Sequence, residues 1–134
     1  MVKEFSIFLE NTPGILAQFI KLLNASNIDI LAISVAEAED YGLLLILVDK
    51  PEECEEILQE NEYNFSIAEV IPVSLANNPG LLFDIAELMG VENINIEYLY
   101  STLVMDEAHL IIRTNKNEKA IEILREKGFS ILST

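Results

Sequence analysis

The sequence of this chain repeats itself at a spacing of 66 residues. The run Asn11-Thr12-Pro13-Gly14 recurs as Asn77-Asn78-Pro79-Gly80, and Asn27-Ile28-Asp29-Ile30 recurs as Asn93-Ile94-Asn95-Ile96, with no gap between the two matches. Roughly eighteen of some sixty aligned positions are identical, and most of the others keep their apolar or polar character. Self-similarity at a fixed spacing is typical of a supersecondary unit that occurs more than once. We therefore expect two small domains rather than one of ordinary size.

Both copies show the same order of predicted elements. A short alternating strand comes before the Asn-x-Pro-Gly turn, and a helix with apolar residues three and four positions apart follows it. Two strands joined by a turn come next, then a second helix and a short final strand. The order β-α-β-β-α-β predicts an α+β fold of the ferredoxin-like type, an antiparallel four-stranded sheet with both helices on one face. The predicted strands are Phe5–Leu9, Ile28–Ala36, Leu43–Val48 and Phe65–Ala68 in the first copy, and Val70–Leu75, Ile94–Val104, His109–Arg113 and Phe129–Leu132 in the second.

The predicted domains are residues 1–68 and 69–134. A domain of this size buries little surface, and its sheet leaves one face and its edges open to another surface. We therefore expect the two copies to pack as a pseudo-dimer, with sheets side by side or back to back, and we expect the chain to form a homodimer. Pro72, in the first strand of the second copy, predicts a sheet edge or a bulge at that point.

The charge of the chain excludes several classes of partner. Eight Lys and Arg stand against 23 Asp and Glu, which leaves a formal net charge of −15. Binding to nucleic acid depends mostly on basic side chains at the phosphates, and binding to anionic lipid depends on them too. No apolar run approaches the roughly 20 residues of a membrane-spanning helix, and the first residues do not resemble a secretory signal. We expect a cytoplasmic protein that binds neither nucleic acid nor membrane.

The residues that most often carry catalysis or bind metals are scarce. The chain has one cysteine, Cys54, at an apolar position of a predicted helix, and one histidine, His109, in a predicted strand. A metal site usually needs several such ligands, and a nucleophilic triad needs a base beside its nucleophile. We interpret both residues as structural, and we predict no enzymatic activity, no metal and no cofactor.

The two copies of the strand, the Asn-x-Pro-Gly-[IL]-Leu turn, the amphipathic helix and the Asn-Ile-[DN]-Ile segment resemble the ACT domain, a regulatory module that binds small molecules and is attached to many enzymes of amino-acid biosynthesis. The resemblance covers nearly the whole chain and is closest to stand-alone tandem ACT proteins. It implies a free amino acid as ligand, held at the interface between the repeats, and an enzyme of amino-acid metabolism as a possible partner.

The physical chemistry of the turn agrees with that implication. The glycine lets a ligand approach the main chain, and the free N–H groups of the first helical turn attract a carboxylate. The ligand's ammonium group needs oxygen acceptors, which the asparagines of the turn and the polar residue of the second motif can supply. The candidate ligand-binding residues are Asn11, Pro13, Gly14, Ile15, Leu16 and Asp29 in the first copy, and Asn77, Pro79, Gly80, Leu81, Leu82 and Asn95 in the second.

Two alternatives remain open at these candidate sites. The family's serine-binding members carry a polar residue two places before the loop Asn, where this chain has Leu9 and Leu75. The first alternative is that either site prefers an apolar amino acid or that only one site binds. The second is that an Asn before Pro-Gly serves as a turn and cap residue without any ligand. If each site joins the loop of one repeat to the strand of the other, Asn11 pairs with Asn95 and Asn77 pairs with Asp29. The alternative function is a regulatory or assembly subunit that binds no ligand.

Overall fold

The computed structural model describes residues 1–10, 12–37, 41–76, 78, 80–104 and 106–132. They form two compact units: the first unit is Lys3–Ala68, and the second unit is Met1–Val2 together with Glu69–Thr134. The elements are β1 (Val2–Glu10), α1 (Ile15–Ala25), β2 (Ile30–Glu37), β3 (Tyr41–Val48), α2 (Pro51–Glu60), β4 (Asn64–Ser74), α3 (Gly80–Val91), β5 (Ile96–Val104), β6 (Glu107–Thr114) and α4 (Asn117–Glu126).

Each unit has the predicted order of strands and helices, apart from the final strand of the second unit. In the first unit the strand order is β2-β3-β1-β4, and in the second it is β4-β6-β5, with antiparallel pairing of β3 to β1 and β2 and of β6 to β4 and β5. The ferredoxin-like α+β architecture is therefore confirmed. The predicted strands Phe65–Ala68 and Val70–Leu75 are one continuous strand, β4.

The strand registers of the two units match at the same spacing of 66 residues. Phe5 pairs with Ile46 in the first unit, and Ile71 pairs with Ile112 in the second. Even the irregularity in the edge strand is repeated, since a β-bulge follows Ile30 and another follows Ile96. A register shift of one residue would turn every side chain to the other face of the sheet, so the two sequences align in three dimensions without a gap.

In each unit the two helices pack on one face of the sheet. One apolar core per unit lies between the helices and the sheet. In the first unit Phe19 and Leu23 of α1 are fully buried against the sheet, and Cys54 and Leu58 of α2 are buried beside them. The second unit uses Ile85 and Met89 of α3 and Leu124 of α4 in the same way. Cys54 is core, as its position in the sequence predicted.

Among the described residues, the turn after each of the helices α1, α2, α3 and α4 contains a left-handed residue that reverses the chain. These residues are Asn27 and Asn93, with φ of 59° and 57°, and Glu62 and Gly128, with φ of 59° and 87°. After α1 the N–H of Ile28 bonds to the carbonyl of Leu23 at 3.0 Å, the 6→1 bond of a Schellman motif, which satisfies a carbonyl that the helix leaves free.

The end of the chain differs from the prediction. Instead of a strand over Phe129–Leu132, a single bridge joins Ile131 to Val73, with hydrogen bonds from Ser74 N–H to Ser130 O at 2.8 Å and from Leu132 N–H to Pro72 O at 2.9 Å. In an antiparallel strand, the N and O atoms of one residue point to the same neighbouring strand. The nitrogen of Pro72 therefore faces this short segment, and the hydrogen bonding between β4 and β6 loses no donor. Pro72 therefore has β6 on one side and this short segment on the other, and the predicted sheet edge is not found there.

Candidate functional site

The first strand-to-helix loop connects β1 to α1. The N–H of Thr12 donates to the carbonyl of Glu10 at 2.9 Å, and Ile15 N–H approaches the carbonyl of Thr12 at 3.4 Å. Gly14 stands immediately before the helix with φ of 88°, a conformation that glycine adopts without strain. The loop therefore turns sharply into α1, whose first amide groups are directed at the loop as in any helix. Asn11, the predicted ligand residue of this loop, lies outside the described residues.

A pocket of about 170 Å³ lies beside this loop, between the sheet and α1. It is smaller than the roughly 300–1,000 Å³ of sites for drug-sized ligands and suits a molecule of few atoms. Two predicted residues, Ile15 and Leu16, contribute to it from the helix. The lining residues are Leu9, Glu10, Thr12, Ile15, Leu16, Val35, Gly42, Leu43 and Leu44.

The second strand-to-helix loop has a different local structure. The side-chain oxygen of Asn78 accepts a hydrogen bond from Gly80 N–H at 3.0 Å, and the carbonyl of Asn78 accepts one from Leu81 N–H at 3.1 Å. Asn78 thereby caps α3, a role that the sequence suggested for its neighbour Asn77. Asn77 and Pro79 both lie outside the described residues, whereas Leu82 is 44% exposed on the first turn of the helix.

The pocket near the second loop lies on another side of that loop. It measures about 320 Å³ and is bordered by both acidic and basic side chains, Asp84 and Lys127. Ser74 is 8% exposed there, and its hydroxyl donates a hydrogen bond to a carboxylate oxygen of Glu107. The lining residues are Ser74, Ala76, Leu81, Asp84, Lys127, Gly128, Phe129 and Ser130.

Asp29 and Asn95 have exposed side chains, and their main chains anchor the edge strands. Asp29 N–H donates to Asp49 Oδ1 at 2.8 Å, and Asn95 N–H donates to Asn115 Oδ1 at 3.0 Å. Return bonds run from Asp49 N–H to Asp29 O and from Asn115 N–H to Asn95 O, each at 3.1 Å. The main chain of both residues is therefore fixed, and the side chain of each remains available.

Within one unit the structure does not bring Asp29 to the loop. Asp29 precedes Ile30, which pairs with Val48 at one end of β3, whereas the loop follows Glu10, which pairs with Tyr41 at the other end. Several residues at about 3.4 Å each separate the two ends of that strand. The predicted pairs, Asn11 with Asn95 and Asn77 with Asp29, join residues of different units and stay predictions.

The sequence did not indicate three features of the candidate site: the capping role of Asn78, and the presence of Glu10 and of Gly42 at the first pocket. A comparison of the two copies could have found the last two. Glu10 aligns with Ala76, and Gly42 aligns with Ala108, so the copies differ at two positions of an otherwise repeated scaffold.

Two further observations bear on the chemistry of the chain. Burial raises the pKa of the Cys54 thiol to about 11, and the nearby Glu55 carboxylate adds to the effect, so the sulfur stays protonated and unreactive at neutral pH. In the part of the chain that the structure describes, no group of three His, Cys, Asp or Glu side chains could hold a metal ion, and no helix is long and apolar enough to cross a membrane.

Comparison with known proteins identifies the family. The family model described as the ACT domain pair matches residues 1–133. This chain is an ACT domain pair. The sequence-based resemblance to the ACT domain is thereby confirmed, together with the tandem arrangement of its two repeats.

Solved structures share the fold of this ACT domain pair. Protein BT0572 from Bacteroides thetaiotaomicron is 34% identical over 98% of this chain and 91% of its own, with a TM-score of 0.90. The regulatory subunit of aspartate kinase from Thermus thermophilus, in its ligand-free form, is 19% identical over 92% of this chain and 90% of its own, with a TM-score of 0.62. The corresponding subunit from Thermus flavus has a TM-score of 0.58 at 17% identity, over the same shares of the two chains. No curated protein matches this chain.

Proposed function

We propose that this ACT domain pair binds a free amino acid at its strand-to-helix loops and regulates an enzyme of amino-acid metabolism. The observation that carries the proposal is the pocket of about 170 Å³ at the first loop, where Gly14 leads into the start of α1. A free amino acid has a carboxylate to place at the helix start, an ammonium group that needs acceptors, and a side chain to place in the pocket.

The residues assigned to the ligand are those that the sequence singled out. The proposed carboxylate donors are the main-chain N–H groups of Gly14, Ile15 and Leu16 at the first loop and of Gly80, Leu81 and Leu82 at the second. Those of Ile15, Gly80 and Leu81 donate hydrogen bonds within their own loops, so a ligand would have to replace these bonds. The asparagines of the two loops, together with Asp29 and Asn95, are the proposed acceptors for the ammonium group, with the pairing across copies that the sequence predicted. Pro13 and Pro79 are the prolines of the two loops in the sequence.

The relatives support a regulatory role without catalysis. The Thermus thermophilus protein that shares this fold is described as a regulatory subunit of aspartate kinase. A ligand can act on such a partner only by binding one conformation of the regulatory protein more tightly than another. In this proposal the amino acid shifts that equilibrium, and the partner enzyme responds. The proposal also includes the homodimer and the cytoplasmic location that the sequence predicted.

One observation favours the alternative, an assembly subunit that binds no ligand. The outer side of α3 exposes two large apolar side chains, Phe83 at 65% and Val91 at 76%. The aligned residues of α1 are both alanine, Ala17 and Ala25, so this apolar surface belongs to the second copy alone. Exposed apolar patches of this kind often contact other proteins.

A thermal unfolding screen against the twenty amino acids separates the two functions. A ligand that binds only the folded protein adds roughly 2.7 kcal/mol of stability at 100 times its dissociation constant. We expect at least one amino acid to raise the unfolding temperature, and we expect its amide, which lacks the carboxylate charge, to have little effect. Gly14→Val should abolish the shift if the first loop binds. If no amino acid moves the transition, the binding function is wrong and the assembly role remains.

A further inference from the structure

We infer that the pocket at the first loop selects an amino acid with a branched aliphatic side chain, and that Glu10 holds its ammonium group. The inference rests on the proposed function, because it assumes that a free amino acid occupies this loop. It adds the class of side chain, the copy that binds it and a positioning residue that the sequence did not single out.

The apolar character of the pocket supports the first part of the inference. Its sheet side includes Leu9 and Leu44, which belong to the core of the first unit. Leu16 and Val35 also line it and remain 39% and 55% exposed. An aliphatic ligand side chain would cover this exposed apolar surface, whereas a polar side chain would lose its hydrogen bonds with water there.

Gly42 supplies the second, independent observation. It lies inside β3, paired with Leu9 on one side and Glu37 on the other, where glycine weakens a strand. Its φ is not in the left-handed region, so the backbone does not require glycine. A Cβ built there would meet only the carbonyl oxygen of Leu9, at 4.0 Å. The absence of a side chain therefore leaves space, and that space adjoins the pocket.

Glu10 is the acceptor that this inference assigns to the ammonium group. It lines the pocket as the last residue of β1, and the loop that follows leads to the start of α1. In an amino acid the carboxylate and the ammonium group are attached to the same carbon. A ligand whose carboxylate lies at the first turn of α1 would therefore present its ammonium group towards the nearby loop. A carboxylate acceptor there forms a charge-assisted hydrogen bond. Among the described residues that line the pocket, Glu10 is the one with an ionisable side chain.

The second copy lacks these features at the aligned positions. Ala76 replaces Glu10, Ala108 replaces Gly42 and Ser101 replaces Val35. In addition, Asn78 already accepts the hydrogen bond of Gly80 N–H at the second loop. The aliphatic site therefore belongs to the first copy, and one ligand binds per chain at this class of site.

Calorimetric titration of the full chain with isoleucine, leucine, valine, alanine, serine, aspartate and lysine tests the side-chain class. We expect the branched aliphatic amino acids to bind best and alanine to bind at least about tenfold more weakly, the effect of methylene groups missing from an apolar pocket. Gly42→Ala should weaken isoleucine binding about tenfold or more, while the matched change Ala108→Gly in the second copy leaves it unchanged. Unfolding without ligand checks that each variant is folded.

A second titration isolates the ammonium contact. We expect Glu10→Gln to weaken binding of leucine about tenfold, and to leave unchanged the weaker binding of 4-methylpentanoate, which has the same carbon chain and carboxylate but no ammonium group. A general distortion of the loop would weaken both ligands equally.

The outcomes separate this inference from the proposed function. Binding of serine, aspartate or lysine in preference to isoleucine, with loss on Gly14→Val, would overturn the inference and leave the proposed function standing. If neither Gly42→Ala nor Glu10→Gln changes the affinity for isoleucine, the binding site lies elsewhere and the inference is also overturned. If none of the twenty amino acids binds, both proposals are wrong.

Discussion

The carboxylate of Asp49 accepts a hydrogen bond from the backbone N–H of Asp29, with 2.8 Å between the nitrogen and Oδ1. The second unit has the same contact with an amide in place of the carboxylate, since Asn115 Oδ1 accepts from Asn95 N–H at 3.0 Å. In each unit a return bond from the later residue completes the pair and holds the chain just before the bulged start of the edge strand. The contact requires an acceptor oxygen and does not require a charge.

Replacement of Asp49 tests that conclusion. Asp49→Ala removes the acceptor and should lower the free energy of unfolding by about 1–2 kcal/mol. Asp49→Asn keeps an acceptor oxygen, as Asn115 does in the second unit, and should change the free energy by less than about 0.5 kcal/mol. Urea denaturation monitored by circular dichroism measures both. Equal losses in the two variants would mean that charge, and not the acceptor oxygen, stabilises this end of the sheet.

The left-handed residue after α2 offers a stabilising substitution. Glu62 has φ of 59°, where a residue with a Cβ is strained, and the aligned residue after α4 is Gly128. Glu62→Gly should raise the free energy of unfolding by roughly 0.5–1 kcal/mol, the relief of strain less the added freedom of glycine in the unfolded chain.

The reverse change is the control for that prediction. A Cβ at Gly128 has nothing within 4 Å, so Gly128→Ala introduces backbone strain without a steric clash. We expect it to lower the free energy of unfolding by about 1 kcal/mol. A loss of stability in Glu62→Gly, measured under the same conditions, would contradict the assignment of strain to this position.

The side chain of Asn78 caps α3 at the second loop. Asn78→Ala should therefore cost about 1 kcal/mol of stability, whereas Asn78→Asp keeps the acceptor and should cost little. The aligned change in the first copy, Thr12→Ala, serves as a matched control and should have a smaller effect. Hydrogen exchange of the first-turn amides of α3 locates the change, and unaltered protection in Asn78→Ala would show that another group caps the helix.

Stability should fall at alkaline pH because of the buried thiol of Cys54. Its pKa is raised from 9.0 to about 11 by burial, so between these values the unfolded chain releases the proton and the native chain keeps it. The unfolded state then binds fewer protons, and stability decreases as the pH rises, by up to about 2 kcal/mol at the upper end.

Cys54→Ala provides the reference, since alanine occupies the aligned position Ala120 in the second core. The difference in unfolding free energy between the parent and this variant should shrink from pH 8 to pH 11, and the native thiol should react with a disulfide reagent much more slowly than the unfolded one. A difference that is independent of pH would mean that the thiol ionises freely in the native state.

The fold was predictable because its determinants are local and occur twice. Apolar residues at helical spacing, such as Phe19 with Leu23 and Ile85 with Met89, are the residues found buried. The final strand was overestimated, because Phe129–Leu132 has an apolar pattern that suits a strand, yet only Ile131 forms a bridge. How far a terminal segment pairs depends on its neighbours in space, and the local pattern carries no such information.

The candidate site was less predictable than the fold. The sequence indicated the loop residues Gly14, Ile15 and Leu16, which form part of the first pocket or lead into it. It did not indicate Gly42, because a glycine in an apolar run has no periodic signal. Whether such a glycine leaves space for a ligand depends on the helix that packs against the strand. Nor did it indicate Asn78, since two adjacent asparagines are equally good caps until the backbone geometry decides between them.

The β-bulges that follow Ile30 and Ile96 bear on the extent of the repeat. A bulge needs one extra residue at a fixed place in a strand. The repeat therefore extends beyond residue identity to a local departure from regular strand pairing, which both halves share even where their loops differ at Glu10, Gly42 and their counterparts.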